Sequence, residues 1–292
     1  MAVYYLENEF LSMGVDSHGA ELKSLRRKAT NLEYMWCGDA SYWGRTSPLL
    51  FPFVGGVYQK QYRTGGKTYA MTQHGFARDM EFVLLQQKKD FLEFQLKSTK
   101  ETLEKYPYEF VLTIEYHLKE NGVKVLWRVE NPSQEIMYFA IGGHPGFNCP
   151  LRSGQGQTAC SIQLDMDGTM VCTEITPQGM ASKKQKVFEL QNGRLPLTEH
   201  LFDDDALVVE NHQAHTVSLC DASGSPYLTV RMDAPLFGIW SPPKSNAPFV
   251  CIEPWYGRCD EEGYEGELKD RKWENTLEPY GVWQASYEIL VQ

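Results

Sequence analysis

Residues 110–129 read FVLTIEYHLKENGVKVLWRV, and this stretch decides the fold class. Phe110, Leu112, Ile114, Tyr116 and Leu118 lie on one face of an extended chain, with Thr113, Glu115 and His117 on the other. That is the period-two pattern of a half-buried strand. Val123, Val125, Trp127 and Val129 repeat it after Asn121-Gly122, a pair that accepts the positive φ angles of a type I′ turn. The stretch therefore predicts a β-hairpin.

Similar runs continue in both directions: EFVLLQQ, FLEFQLK, IMYFAI, ALVVE, TVSLCD, YLTVRM, FVCIE and the C-terminal SYEILVQ. Turn chemistry at Thr64-Gly65-Gly66, Asn131-Pro132, Ser223–Pro226 and Pro242-Pro243 separates them. The best helix candidate is TKETLEKY before Pro107. Many short strands without intervening helices predict an all-β chain, a large antiparallel β-sandwich or barrel. No repeat or linker divides it, so residues 1–292 are expected to form a single domain.

A formal net charge of −10 with no basic block excludes a non-specific nucleic-acid binder and points to a small-molecule partner. The start, MAVYYLENEF, lacks the basic and apolar regions of a signal peptide, and the most apolar segment, Pro48 to Val57, is too short to cross a bilayer. No membrane association and a cytoplasmic location are expected. The seven cysteines are odd in number and contain no C-x-x-C pair, which reads as buried reduced thiols.

Four segments break the strand pattern: YWGRTSPLLFPFVGG (42–56), QHGFARD (73–79), GGHPGFN (142–148) and WSPP…PFVCIEPWYG (240–257). Each sets a polar or ionisable residue among Gly, Pro and aromatic residues at a strand end or loop, where functional groups collect. Glu253 ends an apolar run and is followed by Pro254-Trp255, so the strand is expected to stop at the carboxylate. Glu253 reads either as a general base in a cleft or as a surface glutamate. His74 and His144 sit beside glycines, and Gly142-Gly143 is expected to turn the backbone at a strand end. Arg45 and Arg78 fit anion or hydroxyl recognition, or an ion pair such as Arg78 with Asp79. His74, His144 and Glu253 could compose a zinc set, but H-E-x-x-H is missing, and no metal or cofactor is expected.

Together, in order from GAELKSL (19–25) through RTSPLLFPFVGG, QHGFARD and GGHPGFN to VCIEPWYG, these segments resemble the aldose 1-epimerases, or galactose mutarotase-like proteins, and within them the bacterial LacX-like branch. The resemblance covers essentially the whole chain. It implies the galactose mutarotase-like supersandwich and a cofactor-free isomerase that interconverts the α and β anomers of a hexose. It also implies roles: His144 as general acid, Glu253 as general base, His74 at the ring oxygen, and Arg45 and Arg78 along the sugar. One of Asp203, Asp204 and Asp205 falls near a family aspartate, and the resemblance does not choose among them. Trp43, Trp240, Trp255 and Tyr256 are candidate platforms for the apolar face of a sugar. The partner is thus a sugar or a sugar phosphate. Alternatives are a hexose-6-phosphate 1-epimerase, because H-G-F-A-R also occurs there, and a non-catalytic carbohydrate-binding or sensing protein on the same fold.

Overall fold

The computed structural model describes residues 2–152 and 154–292. The hairpin at its centre pairs Val111–Lys119 with Gly122–Glu130, with Ile114 opposite Trp127 and Tyr116 opposite Val125. It lies inside a nine-stranded sheet whose order runs Arg194–Pro196, Ser161–Leu164, Thr216–Cys220, Pro226–Met232, Val282–Val291, Gly122–Glu130, Val111–Lys119, Phe91–Lys97, Val83–Lys88. An eight-stranded sheet runs Ala181–Leu190, Gly168–Ile175, Leu207–Glu210, Leu236–Trp240, Phe249–Tyr256, Ile141–Gly143, Leu49–Leu50, and Gly146–Asn148 also pairs with Phe249–Tyr256. The ladders of both sheets are antiparallel.

The two sheets form the expected antiparallel β-sandwich. Ile114, Val125, Trp127 and Ile289 from the first meet Val209, Phe237, Ile239 and Ile252 from the second in one core that extends from Leu6 to Val291. A smaller N-terminal sheet, Val3–Glu7 to Leu32–Glu33, adds Leu11, Met13 and Leu22 to that core. The helix candidate forms as Lys100–Lys105. Thr99 and Thr102 exchange side-chain and backbone hydrogen bonds across its first turn, a capping box built from two threonines. Among the described residues no helix is long and apolar enough to cross a membrane. All seven cysteines are free, and only Cys37 is exposed.

The hairpin differs from expectation at its tip. Glu120-Asn121 is the two-residue turn, and Gly122 already belongs to the second strand, opposite Lys119. Neither Glu120 nor Asn121 has a positive φ, so the turn is not of type I′. Gly122 is required for a different reason. It pairs with Leu290 on the other side, and a Cβ there would lie 2.1 Å from the carbonyl oxygen of Ile289. His117, on the polar face of its strand, is half-buried, packs on Phe91 and bonds to Glu115 at 2.9 Å.

Gly122→Ala is expected to cost about 1–3 kcal/mol by forcing the central strands apart, whereas Asn121→Ala stays within about 0.5 kcal/mol. Urea unfolding of both variants checks this, and equal costs would refute the close-approach argument.

Candidate active site

The eight-stranded sheet has two unlike faces, and strand alternation assigns them. Along Phe249–Tyr256, Val250 and Ile252 enter the main core, while Phe249, Cys251, Glu253 and Trp255 face the other way. The strand does not stop at Glu253 as expected. It continues through Pro254 to Tyr256, with Gly238 opposite Glu253 and Leu236 opposite Trp255. Its other edge is paired only at 249–251 and 255–256, and this gap in the ladder accommodates a residue without an N–H.

The same gap places His144. Gly142 pairs with Trp255 and Gly146 with Cys251, so the midpoint of one segment, His144, falls across from the midpoint of the other, Glu253. The His144 Nε2 lies 3.3 Å from Glu253 Oε2 without the alignment of a hydrogen bond. Gly142-Gly143 is not a turn: both residues are in a strand, and neither has a positive φ. A Cβ on Gly142 would lie 2.7 Å from the Trp255 ring, and one on Gly143 would lie 3.2 Å from Trp127. These glycines make room for indoles.

His74 arrives from a loop. Its φ of 68° and that of Gly75, 70°, are both left-handed, and a Cβ on Gly75 would lie 2.2 Å from the Phe51 carbonyl oxygen. Such a backbone is costly for a histidine and is held here by reciprocal bonds. The His74 N–H donates to Gly55 O at 2.8 Å, and Gly55 N–H donates to His74 Nδ1 at 3.1 Å. With Nδ1 accepting, the neutral ring carries its proton on Nε2. The His74 and His144 rings meet edge to face at 5.6 Å.

His74, His144, Glu253 and Arg78 line one cavity of about 330 Å³, together with Asp205, Trp43, Trp240 and Trp255. Of the three consecutive aspartates only Asp205 reaches it; Asp203 bonds to His200 and Asp204 to Lys186. Arg45 does not line the cavity and bonds Asp79 at 2.8 Å. Arg78 turns one terminal nitrogen to Gln73 O at 2.7 Å, with Asp79 3.8 Å from its Nε. Trp43 stacks on the His144 ring at 4.7 Å. Tyr256 lies off the cavity, packed against Trp127 and Trp283.

Burial dominates the electrostatics. It pushes the Glu253 carboxyl well above the usual carboxylate range, and Asp205 reinforces this. Burial pulls His144 down to about 3, helped by the Arg78 and Arg45 charges, and takes His74 well below its ordinary value. The resting pair is therefore neutral. Buried polar atoms without a partner gather here: Arg78 Nε, His144 Nδ1, Glu253 Oε2 and Trp255 Nε1. Such atoms are rare in folded proteins and mark places where something else supplies the partner. His74 is not part of a metal-ligand set with His144 and Glu253; the third ligand-type atom near that pair is Cys251 Sγ, a thiol that burial keeps protonated.

A second layer was not legible in the chain. Arg271 bonds Asp260 at 2.5 Å and Glu274 at 2.6 Å, and Asp260 holds the 56–58 backbone through Tyr58 N–H and Gly56 O. Arg258 bonds Glu210 at 2.7 Å on the same side. These ion pairs fix the Gly55 turn that orients His74. No pattern in the sequence distinguishes them from surface charges.

A family model described as Aldose 1-epimerase matches residues 2–269. The chain belongs to this family. Protein LacX of Lactococcus lactis subsp. lactis is 28% identical over 98% of both chains. A galactose mutarotase related enzyme from Lactobacillus acidophilus superposes with a TM-score of 0.94 at 33% identity, covering 100% of this chain and 97% of that one. A galactose mutarotase-like protein from Lactobacillus casei gives 0.93 at 32% identity and full coverage of both. In this member of the aldose 1-epimerase family the cavity lies on the face of the eight-stranded sheet turned away from the main core.

Because the folded-state pKa of Glu253 lies above the unfolded value, its stabilising contribution is present in acid and lost as pH rises through the folded pKa. Glu253→Gln is thus expected to melt higher than the parent at pH 8 and to match it near pH 4. Calorimetry at both pH values tests this, and a variant less stable than the parent at pH 8 would contradict the burial argument.

Proposed function

We propose that the protein is a mutarotase that interconverts the anomers of an unphosphorylated hexose, with His144 and Glu253 as its acid–base pair. The observation that carries this reading is the 3.3 Å pair in a cavity ringed by buried polar atoms without partners. A polyhydroxylated ring supplies what those atoms lack, and three tryptophans offer it apolar faces. The volume lies at the small end of ligand pockets, which fits a monosaccharide.

The neutral pair and its ionised form, carboxylate with imidazolium, differ only in which group holds one proton, and the net charge of the dry cavity stays the same. In the ionised form Glu253 takes the proton from the anomeric hydroxyl while His144 protonates the ring oxygen. The C1–O5 bond breaks and the open-chain aldehyde forms. That leaves the carboxyl and the neutral imidazole, which is the pair's resting state. Rotation about C1–C2 and reversal of both transfers close the ring on the other face. His74, with its proton on Nε2, is an additional donor beside His144, and Asp205 and Arg78 take ring hydroxyls.

Among the described residues Arg78 is the only Lys or Arg lining the cavity, against the two carboxyl groups of Asp205 and Glu253, and Arg45 is engaged by Asp79. This balance favours a neutral sugar over a hexose 6-phosphate. The protein is expected to accelerate the polarimetric equilibration of freshly dissolved α-glucose or α-galactose more than that of glucose 6-phosphate. Glu253→Gln and His144→Asn each lose about 10²–10⁴-fold in kcat, with circular dichroism unchanged. Sugar binding by calorimetry with no rate above buffer would instead indicate a binding protein.

The productive pair holds one proton. It gains a second only toward the depressed His144 value of about 3, and loses its own only toward the raised Glu253 value. As the pH is lowered, activity is therefore expected to be kept until the pair gains its second proton toward the His144 value of about 3. A loss of rate centred near 6.5, the value of a free imidazole, would overturn the assignment.

A further inference from the structure

We propose that His212, His215 and Asp233 form a binding site for a divalent transition-metal ion of the zinc class, separate from the catalytic cavity. One ligand-type atom from each lies within 4.8 Å of the other two, and His215 Nδ1 is 3.8 Å from Asp233 Oδ1. Ligands held at about 2.1 Å around a tetrahedral ion sit about 3.4 Å apart, so small rotations of three exposed side chains complete the set. The imidazole rings are 5.8 Å apart and inclined by only 32°.

The backbone that carries these ligands is fixed. The His212 N–H donates to Pro235 O at 3.0 Å, and the Met232 N–H, next to Asp233, donates to His215 O at 2.9 Å. Asp165 accepts from the N–H groups of both His215 and Thr216 at 2.9 Å. Gln213, between the histidines, is bonded to both backbone groups of Val171 and to Glu210 O. His212 also keeps a left-handed φ of 50°, which this bonding sustains. Ligands on so restrained a frame lose little freedom on binding.

Two imidazoles and one carboxylate match zinc or its neighbours, whereas calcium and magnesium prefer oxygen throughout. The fourth position faces solvent and would hold water. Nearby Lys124 and Arg231 are both cross-strand neighbours of Glu288, which offsets part of their charge. The other three-ligand group, His144, Cys251 and Glu253, is less suited. It is buried, and its thiol and carboxyl both hold their protons more tightly than usual.

The test is calorimetric titration of the chelator-stripped full chain with zinc chloride, with the cobalt(II) absorption spectrum as a second readout. One ion per chain is expected, with a cobalt spectrum free of thiolate charge transfer. The double variant His212→Ala/His215→Ala is expected to lower affinity at least about 100-fold, since removing even a supporting partner costs 10–100-fold. Mutarotation should be unchanged in it. Unaltered affinity in that variant, a thiolate band, or loss of binding in Cys251→Ser would each overturn the proposal.

Discussion

A carboxyl and an imidazole face each other across two strands where neither charge is stable alone. Glu253 is 1% exposed and His144 7% exposed. An isolated ion at such a depth costs several kcal/mol. The sheet resolves this by holding the two groups 3.3 Å apart in their neutral forms, with burial disfavouring either ion. Everything around the pair serves that spacing. Trp43 stacks on the imidazole, Trp255 lies beside the carboxyl, and Gly142 and Gly238 are kept small by the indole between them.

The spacing is a consequence of register. A segment that pairs with one strand on both sides of a three-residue interruption must present its central side chain opposite the partner's central residue. Gly143-His144-Pro145 is that interruption, and Pro145 O still accepts from Ile252 N–H at 3.3 Å. The strand face turned away from the core then becomes the cavity wall. Behind the wall, the Arg271–Asp260 and Arg258–Glu210 ion pairs hold the turn that clamps His74. Breaking one such pair would strand a buried charge, so they define one geometry for the loop.

The strands were legible because each large apolar residue at alternate positions has only one face to enter. The hairpin at 111–130 is found where the alternation puts it, and the weak helix signal at 100–105 also holds. The glycines were legible as special but not in kind. Asn121-Gly122 and Gly142-Gly143 read as turns, yet both Gly122 and the Gly142-Gly143 pair answer to close neighbours far along the chain, Ile289 in one case and Trp255 and Trp127 in the other. Local propensity carries no information about such contacts. Gly75, by contrast, has the left-handed backbone for which glycine is the usual residue.

By itself the sequence determined the all-β class, the positions of most strands and, through the order of its motifs, the family. Those properties follow from patterns written in neighbouring residues. Only the tertiary structure decided that Asp205 rather than Asp203 or Asp204 meets the cavity, that Arg45 turns to Asp79, and that His144 and Glu253 are cross-strand neighbours. The physical reason is that distance and burial are set by register and packing between segments a hundred residues apart, and a pKa is set by that burial. No residue type fixes either alone.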